Sequence, residues 1–137
     1  MDRVFLDANV LFSAAYKPTS RLRVLWTVPD VLLLSSFYAV AEAEVNLERI
    51  KASAVEELHA LRQKLLLVER PKYAALPADV ALPEKDRPIL GAAISAKASH
   101  LLNGDKLHFG PLFGRRIEGV LILPSAEYLN DINGLQL

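Results

Sequence analysis

Segments with strand character alternate with segments with helix character along most of the 137 residues, and this alternation constrains the fold more than any other feature. The strands are predicted at residues 3–6, 31–35, 99–103 and 119–123, with a short third strand beginning at 68–69. Because they are almost entirely apolar, both faces of the sheet are expected to be covered. We therefore predict an α/β fold, a three-layer α/β/α sandwich with a mostly parallel central sheet, built as one domain over residues 1–137.

The helices follow from apolar spacing and from capping residues. They are predicted at residues 8–16, 21–28, 37–51, 53–67 and 89–98, with a short terminal helix opening at Pro124. Ser20 and Ser36 are expected to cap the second and third of these helices. In the third, the stripe Val40, Ala43, Leu47 and Ile50 is predicted to face the core. Residues 71–83, with three prolines, are expected to form a loop.

Composition excludes several kinds of protein. The absence of cysteine excludes disulfide scaffolds, thiolate catalysis, zinc sites with cysteine ligands and iron–sulfur clusters. The balance of 16 basic and 16 acidic residues excludes a polybasic protein that binds nucleic acid by bulk charge. No signal peptide and no apolar run of about 20 residues is found, so we expect a cytoplasmic protein without a membrane span.

Three aspartates stand where predicted strands stop or a predicted helix starts. Asp7 follows the first strand, Asp105 follows the strand at 99–103, and Asp86 precedes Pro88. Each has a local explanation by itself, as a helix cap, a turn residue or an acid near the positive end of a helix dipole. Ligands of parallel sheets, however, lie beyond the carboxyl ends of the strands, where these three acids are expected to converge.

A cluster of carboxylates requires a counter-charge. Carboxylates that lie close together repel each other and either take up protons or share a divalent cation. A fourth acid on the helix at 37–51 would complete such a pocket. Because the chain has neither cysteine nor paired histidines, the hard oxygen ligands indicate Mg²⁺ or Mn²⁺ rather than zinc or copper.

Four segments, taken in order, resemble the motifs of the PIN-domain family. They are residues 4–14 (Val-Phe-Leu-Asp-Ala-Asn-Val-Leu-Phe-Ser-Ala), 42–47 (Glu-Ala-Glu-Val-Asn-Leu), 84–90 (Glu-Lys-Asp-Arg-Pro-Ile-Leu) and 101–106 (Leu-Leu-Asn-Gly-Asp-Lys). They resemble the family's opening motif with its first metal ligand, its helical glutamate, its third acid and its strand-end Thr-Gly-Asp. The resemblance spans residues 4–128, almost the whole chain.

The resemblance implies a divalent-metal-dependent endoribonuclease of the kind found as the toxin of VapC-type toxin–antitoxin pairs. It assigns Asp7, Asp86 and Asp105 as metal ligands, with Glu42 bound directly or through water. These four are also the implied catalytic residues, with Asn9 and Asn103 as supporting residues. In such chemistry the metal polarises a phosphate oxygen and lowers the pKa of the attacking water, so no side-chain nucleophile is needed. An RNA substrate, an antitoxin partner and a homodimer are also implied.

Two glutamates compete for the helical position. Periodicity alone puts Glu44 nearer the flank of the apolar stripe, whereas Glu42 shares a different face with Asn46 and Arg49. The resemblance favours Glu42, and Glu44 is then expected to be a solvated charge.

Two departures from the family pattern leave the second metal position open. Asn103 stands where the family often has threonine or serine, and His108 falls near another acid of some members.

A neutral chain still needs local cations to hold RNA. The candidates are Arg21, Arg23 and Lys106, followed by Lys17, Arg115 and Arg116.

Two other functions compete with the nuclease. One is a non-catalytic PIN-like module that binds RNA or protein, against which the four acids argue. The other is an aspartyl phosphotransferase with Asp7 as nucleophile, which lacks the second aspartate that such enzymes place where Asn9 stands.

Overall fold

The computed structural model describes residues 1–69, 71 and 76–135, without the side chains of 133–135. The strands are β1 (Asp2–Leu6), β2 (Val31–Ser36), β3 (Leu66–Val68), β4 (His100–Asn103), β5 (Arg116–Ile117) and β6 (Val120–Pro124). The helices are α1 (Ala8–Tyr16), α2 (Phe37–Ile50), α3 (Val55–Arg62), α4 (Arg87–Ser95) and α5 (Ser125–Leu135). Three 3₁₀ helices lie at Arg21–Trp26, Ala52–Ala54 and Gly110–Leu112.

The six strands form one sheet in the order β3-β2-β1-β4-β6-β5, in which only the β5–β6 pair is antiparallel. The central strand β1 has Val4, Phe5 and Leu6 fully buried. Because successive side chains of a strand point to opposite faces, this burial means that both faces of the sheet are covered. The predicted α/β architecture with a mostly parallel central sheet is confirmed.

Local sequence signals explain where the elements begin. Ser36 caps α2, its Oγ accepting a hydrogen bond from the backbone N–H of Ala39 at 3.1 Å. Pro88 lies in the first turn of α4, where its missing N–H costs nothing. Ser20 caps the next element as predicted, accepting from the N–H of Leu22 at 3.3 Å, but that element is the 3₁₀ helix Arg21–Trp26.

Other boundaries differ from the predictions. The helix predicted at 53–67 ends at Arg62, because Leu66–Val68 pair with the edge of β2 as strand β3. The short antiparallel strand β5 was not predicted. Ile50, expected in the apolar stripe of α2, is 58% exposed at the last position of the helix. Within the predicted loop at 71–83, residues 72–75 lie outside the described part of the chain.

Three parallel strands bring their carboxyl ends to one edge of the sheet. In the register of β1 and β4, Leu6 lies beside Leu102, so the residues that follow them, Asp7 and Asn103, are neighbours. Helix α2 starts directly after β2 at the same edge. The fold therefore gathers segments distant in sequence around this edge. Within the described residues, no helix is long and apolar enough to cross a membrane.

Candidate functional site

A cavity of about 290 Å³ opens at this edge of the sheet, and all four predicted acids line it. Its lining residues are Asp7, Ala8, Asn9, Glu42, Asn46, Lys85, Asp86, Gly104 and Asp105. The acids come from four different places, namely the end of β1, the middle of α2, the start of α4 and the turn after β4. We refer to this space as the acidic cavity.

Asp7 is the most buried of the four acids, with 5% of the residue exposed. Its Oδ1 accepts a hydrogen bond from the backbone N–H of Ala8, and its Oδ2 accepts one from the side-chain amide of Asn103. Burial raises the pKa of Asp7 to about 7, against the lowering effect of the Ala8 N–H, and the charges of the other three acids raise it further. The carboxyl group therefore takes up a proton near neutral pH when no cation is bound.

Two asparagines hold Asp7 in place. Asn103 is fully buried, and its Oδ1 accepts hydrogen bonds from the Asn9 side-chain amide at 3.1 Å and from the Asp105 N–H at 2.6 Å. Asn9 Oδ1 in turn accepts from the Gly104 N–H at 2.9 Å. The two predicted supporting residues thus connect the end of β1 to the turn after β4.

Asp86 occupies the N-cap position of α4, but its side chain makes no capping hydrogen bond. The residue is 8% exposed, and no described residue offers a hydrogen-bond partner to its buried Oδ2. Burial raises the pKa of Asp86, while the charges of Lys85 and His108 oppose this effect. Helix capping therefore does not explain this carboxylate, and a buried oxygen without a partner requires another explanation.

Asp105 is held by its own turn. Its Oδ1 accepts from the N–H groups of Leu107 at 3.0 Å and His108 at 3.1 Å, and its Oδ2 lies 2.8 Å from His108 Nδ1. Burial acts to raise the pKa of Asp105, but the hydrogen bonds and the charge of His108 outweigh it, and the pKa is lowered. Asp105 is therefore ionised while Asp7 is still protonated.

The two glutamates of α2 point in different directions. Glu42 lines the acidic cavity, where burial raises its pKa against the nearby charge of Lys85. Glu44 was expected to be a solvated charge, but its Oε1 lies 3.2 Å from His59 Nε2 on another face of the helix. Successive residues of a helix are about 100° apart around its axis, so Glu42 and Glu44, two residues apart, lie about 200° apart and face different sides.

Two residues at the site, His108 and Lys85, were not predicted as site residues from the sequence. His108 lies three residues after Asp105, and its Nδ1 is 3.8 Å from Asp86 Oδ2. Lys85 lines the cavity and brings a positive charge to it. The available signals were the spacing of His108 from a strand-end aspartate and the position of Lys85 next to Asp86.

The basic residues predicted to contact RNA differ in their surroundings. The guanidinium of Arg23 turns inward, donating from Nε to the Ala14 carbonyl at 2.8 Å and lying 3.0 Å from Glu57. Arg21 donates to Asn130 at 2.7 Å. Lys106 is exposed and lines a second, largely apolar cavity that shares Asn9 and Gly104 with the acidic cavity. Two further candidates are occupied elsewhere, Arg115 with Asp79 and Arg116 with the Gly119 carbonyl.

Replacing Asn103 by alanine is expected to destabilise the protein by about 2–3 kcal/mol, because Asp7, Asn9 and the Asp105 N–H each lose a buried partner. Denaturant unfolding measures this loss. Asn103→Thr keeps a hydroxyl that can donate to Asp7 and is expected to lose about half as much. Equal, small losses in both variants would show that the amide does not hold these groups together.

The chain was compared with known proteins by sequence and by structure. No protein-family model and no curated protein matches the sequence. Among the solved structures that are similar in fold are three of VapC or VapBC proteins. The first is VapBC2 from Rickettsia felis, solved bound to a DNA fragment from its promoter. The match has a TM-score of 0.68 at 15% identity and covers 89% of this chain and 98% of the matched chain.

VapC20 from Mycobacterium tuberculosis, described as a Sarcin-Ricin loop cleaving toxin, has a TM-score of 0.56 at 12% identity, covering 72% of this chain and 86% of that one. VapBC-1 from nontypeable Haemophilus influenzae has a TM-score of 0.57 at 13% identity, covering 90% of this chain and 98% of that one. At such identities the likeness concerns the fold. The chain has the PIN-domain fold of the VapC toxins, as its ordered acidic motifs predicted.

Proposed function

We propose that this protein is a divalent-metal-dependent endoribonuclease that hydrolyses phosphodiester bonds of RNA in the acidic cavity. The observation that carries the proposal is the Asp86 carboxylate, whose buried Oδ2 has no partner among the described residues although it lies among three other acids. Burying a charge without a partner is costly, and a shared cation removes this cost for all four acids. The PIN-domain fold supports the same function.

The donor set fits Mg²⁺ or Mn²⁺. Asp7, Glu42, Asp86 and Asp105 offer carboxylate oxygens on one cavity, and such hard donors suit these cations. The chemistry that a bound cation supplies is Lewis-acid activation of water and of a phosphate oxygen. The four carboxylates are thus proposed as the metal ligands and, through the metal, as the catalytic residues.

The surrounding residues orient these acids and the substrate. Asn103 donates to Asp7 and fixes the carboxylate at the end of β1, while Asn9 fixes Asn103. Such supporting hydrogen bonds set the direction of a ligand. Lys85 on the acidic cavity and Lys106 on the adjoining one are proposed to contact RNA phosphates, together with Arg21. Arg23 is the weakest of the proposed RNA contacts because its guanidinium is already held within the protein.

A toxin role is the finer part of the proposal. The structural neighbours are VapBC assemblies and a VapC toxin, so we infer that this chain is the toxin of a type II toxin–antitoxin pair acting in the cytoplasm, with an antitoxin protein as partner and with itself as a homodimer. An upstream reading frame for a small DNA-binding protein would support the pairing. Co-expression followed by purification measures whether the two proteins form a complex.

Incubating the protein with single-stranded RNA tests the proposed activity. We expect internal cleavage with Mn²⁺ or Mg²⁺ and none with EDTA. The four acids are negatively charged, so a bound cation is needed to link them to the RNA phosphate and to the attacking water. Gel electrophoresis of an end-labelled RNA measures it. RNA binding with no metal-dependent cleavage would instead identify a binding module, and phosphate transfer to Asp7 would identify a phosphotransferase.

A further inference from the structure

Three donor atoms from two separate segments meet at one side of the acidic cavity. Asp86, Asp105 and His108 each offer one ligand atom, and these atoms all lie within 4.8 Å of one another. His108 Nδ1 is 2.8 Å from Asp105 Oδ2 and 3.8 Å from Asp86 Oδ2. The group thus contains one nitrogen donor in addition to oxygen donors.

The backbone fixes this arrangement. The N–H of His108 donates to Asp105 Oδ1 at 3.1 Å, so the turn after β4 folds back and presents both side chains on the same side. The ring of His108 then reaches the start of α4, where Asp86 stands. His108 therefore contacts Asp105 and approaches Asp86, although only Asp105 is near it in sequence.

A second observation indicates that this group is incomplete without a ligand. Asp86 is 8% exposed as a residue, and within the described residues its buried Oδ2 has no hydrogen-bond partner. His108 Nδ1, at 3.8 Å, is too far for a hydrogen bond to this oxygen. Metal–oxygen and metal–nitrogen bonds of about 2.0–2.2 Å leave adjacent ligand atoms about 3 Å apart, so the measured separations are compatible with one shared cation.

We propose that His108 is a nitrogen ligand of the cation bound in the acidic cavity, and that it gives the site a preference for Mn²⁺ over Mg²⁺. This inference rests on the proposed metal dependence and specifies the metal. An imidazole nitrogen is a poor ligand for Mg²⁺ and a good one for first-row transition metals, while the carboxylate majority suits Mn²⁺ within that series. Because Nδ1 lies 2.8 Å from Asp105 Oδ2, binding the cation requires the tautomer that carries its hydrogen on Nε2, in which the Nδ1 lone pair faces the metal and both atoms become ligands.

The competing role for His108 is to orient Asp105 through a hydrogen bond, without touching the cation. The two roles differ in what a change of donor atom does. His108→Asp replaces the nitrogen by an oxygen donor, so a ligand role predicts that Mg²⁺ binding is kept while the Mn²⁺ preference is lost. A role confined to orienting Asp105 predicts an equal loss for both cations, because neither metal then contacts residue 108.

Metal titration of the full chain provides the first test. By calorimetry we expect the wild-type protein to bind Mn²⁺ at least about tenfold more tightly than Mg²⁺, and His108→Asp to lower this ratio by about tenfold. His59→Gln is the matched control, because His59 pairs with Glu44 on another face of α2 and is expected to leave the ratio unchanged. An unchanged ratio in His108→Asp would overturn the proposal.

Pulsed electron paramagnetic resonance of bound Mn²⁺ provides the second test, independent of activity. A coupling to a directly bonded ¹⁴N nucleus is expected in the wild type and in His59→Gln, and it should be absent in His108→Asp. Absence of this coupling in the wild type would overturn the ligand role even if RNA is cleaved. Conversely, a ¹⁴N coupling without RNA cleavage would support the ligand and contradict the nuclease, so the two failures are distinguishable.

Discussion

Replacing Asp86 by asparagine is expected to lower RNA cleavage by at least about 100-fold, because the loss of a metal ligand costs more than the 10–100-fold typical of residues that merely support one. The substitution keeps the shape of the side chain but removes the charge that holds the cation. The measurement is the initial rate of cleavage at saturating RNA, with Mn²⁺ varied. A rate restored by high Mn²⁺ would locate the defect in metal affinity rather than in a later step.

The same substitution should not harm the fold. Asp86 makes no capping hydrogen bond, and its buried Oδ2 lacks a partner among the described residues, so the carboxylate contributes little to stability without a cation. We expect the melting temperature of Asp86→Asn in EDTA to equal or exceed that of the wild type. An inactive variant that also melts much earlier would show damage to the fold instead.

Glu44→Gln is the matched control for charge removal. It removes one negative charge from α2, two residues from Glu42, but the side chain contacts His59 and does not line the acidic cavity. Its cleavage rate should stay within about twofold of the wild type, because a surface ion pair is worth at most about 1 kcal/mol of stability and touches no site residue. A large loss of activity in Glu44→Gln would mean that the glutamates were assigned the wrong way round.

The sheet and its edge could be predicted from the sequence because strands and helix starts are marked by local patterns, namely apolar runs and the polar residues that end them. The apolar run of β1 is followed by the acidic residue Asp7, and α1 begins at Ala8 and ends at Tyr16 as predicted. The run at 53–67 was harder, since a helical pattern there continues into Leu66–Val68. Whether such a short apolar segment forms a helical turn or an edge strand depends on β2, which is distant in sequence.

The site was predictable in residue type but not in detailed contacts. Acids at strand ends predict a common cavity, and Asp7, Glu42, Asp86 and Asp105 do line one. The position of His108 beside Asp86 depends on how the turn after β4 meets the start of α4, and no periodicity within either segment contains that information. Burial of Asp7, which sets its pKa, likewise arises only when the segments are packed together.

Asp7→Asn is expected to have opposite effects with and without metal. Folding raises the pKa of Asp7 from its ordinary value of 3.8 to about 7. Between these values the unfolded chain has lost the proton that the folded chain keeps, so the free energy of unfolding falls as pH rises from 4 to 7. A rise of this size corresponds to at most about 4 kcal/mol, and the neutral amide of the variant removes this contribution.

In EDTA, therefore, the stability of the wild type relative to Asp7→Asn should decline by up to about 4 kcal/mol between pH 4 and pH 8, so that the variant gains stability over the wild type as the pH rises. Urea unfolding at several pH values measures this difference. Glu42 and Asp86, whose pKa values are also raised, are present in both proteins, so the effect of their own burial cancels and the difference reports on the Asp7 carboxyl and its charge interactions with these acids. Parallel pH profiles would show that the Asp7 carboxyl is not protonated in the folded protein.

Adding Mn²⁺ should reverse the order of stability. A cation that binds only the folded state stabilises it by about 2.7 kcal/mol at a concentration 100 times its dissociation constant. The wild type gains this stabilisation because the cation displaces the proton of Asp7 and balances the charge of the other acids, whereas Asp7→Asn lacks the most buried of the carboxylates. Equal Mn²⁺-induced shifts in melting temperature for the two proteins would exclude Asp7 as a ligand, because the cation would then bind without it.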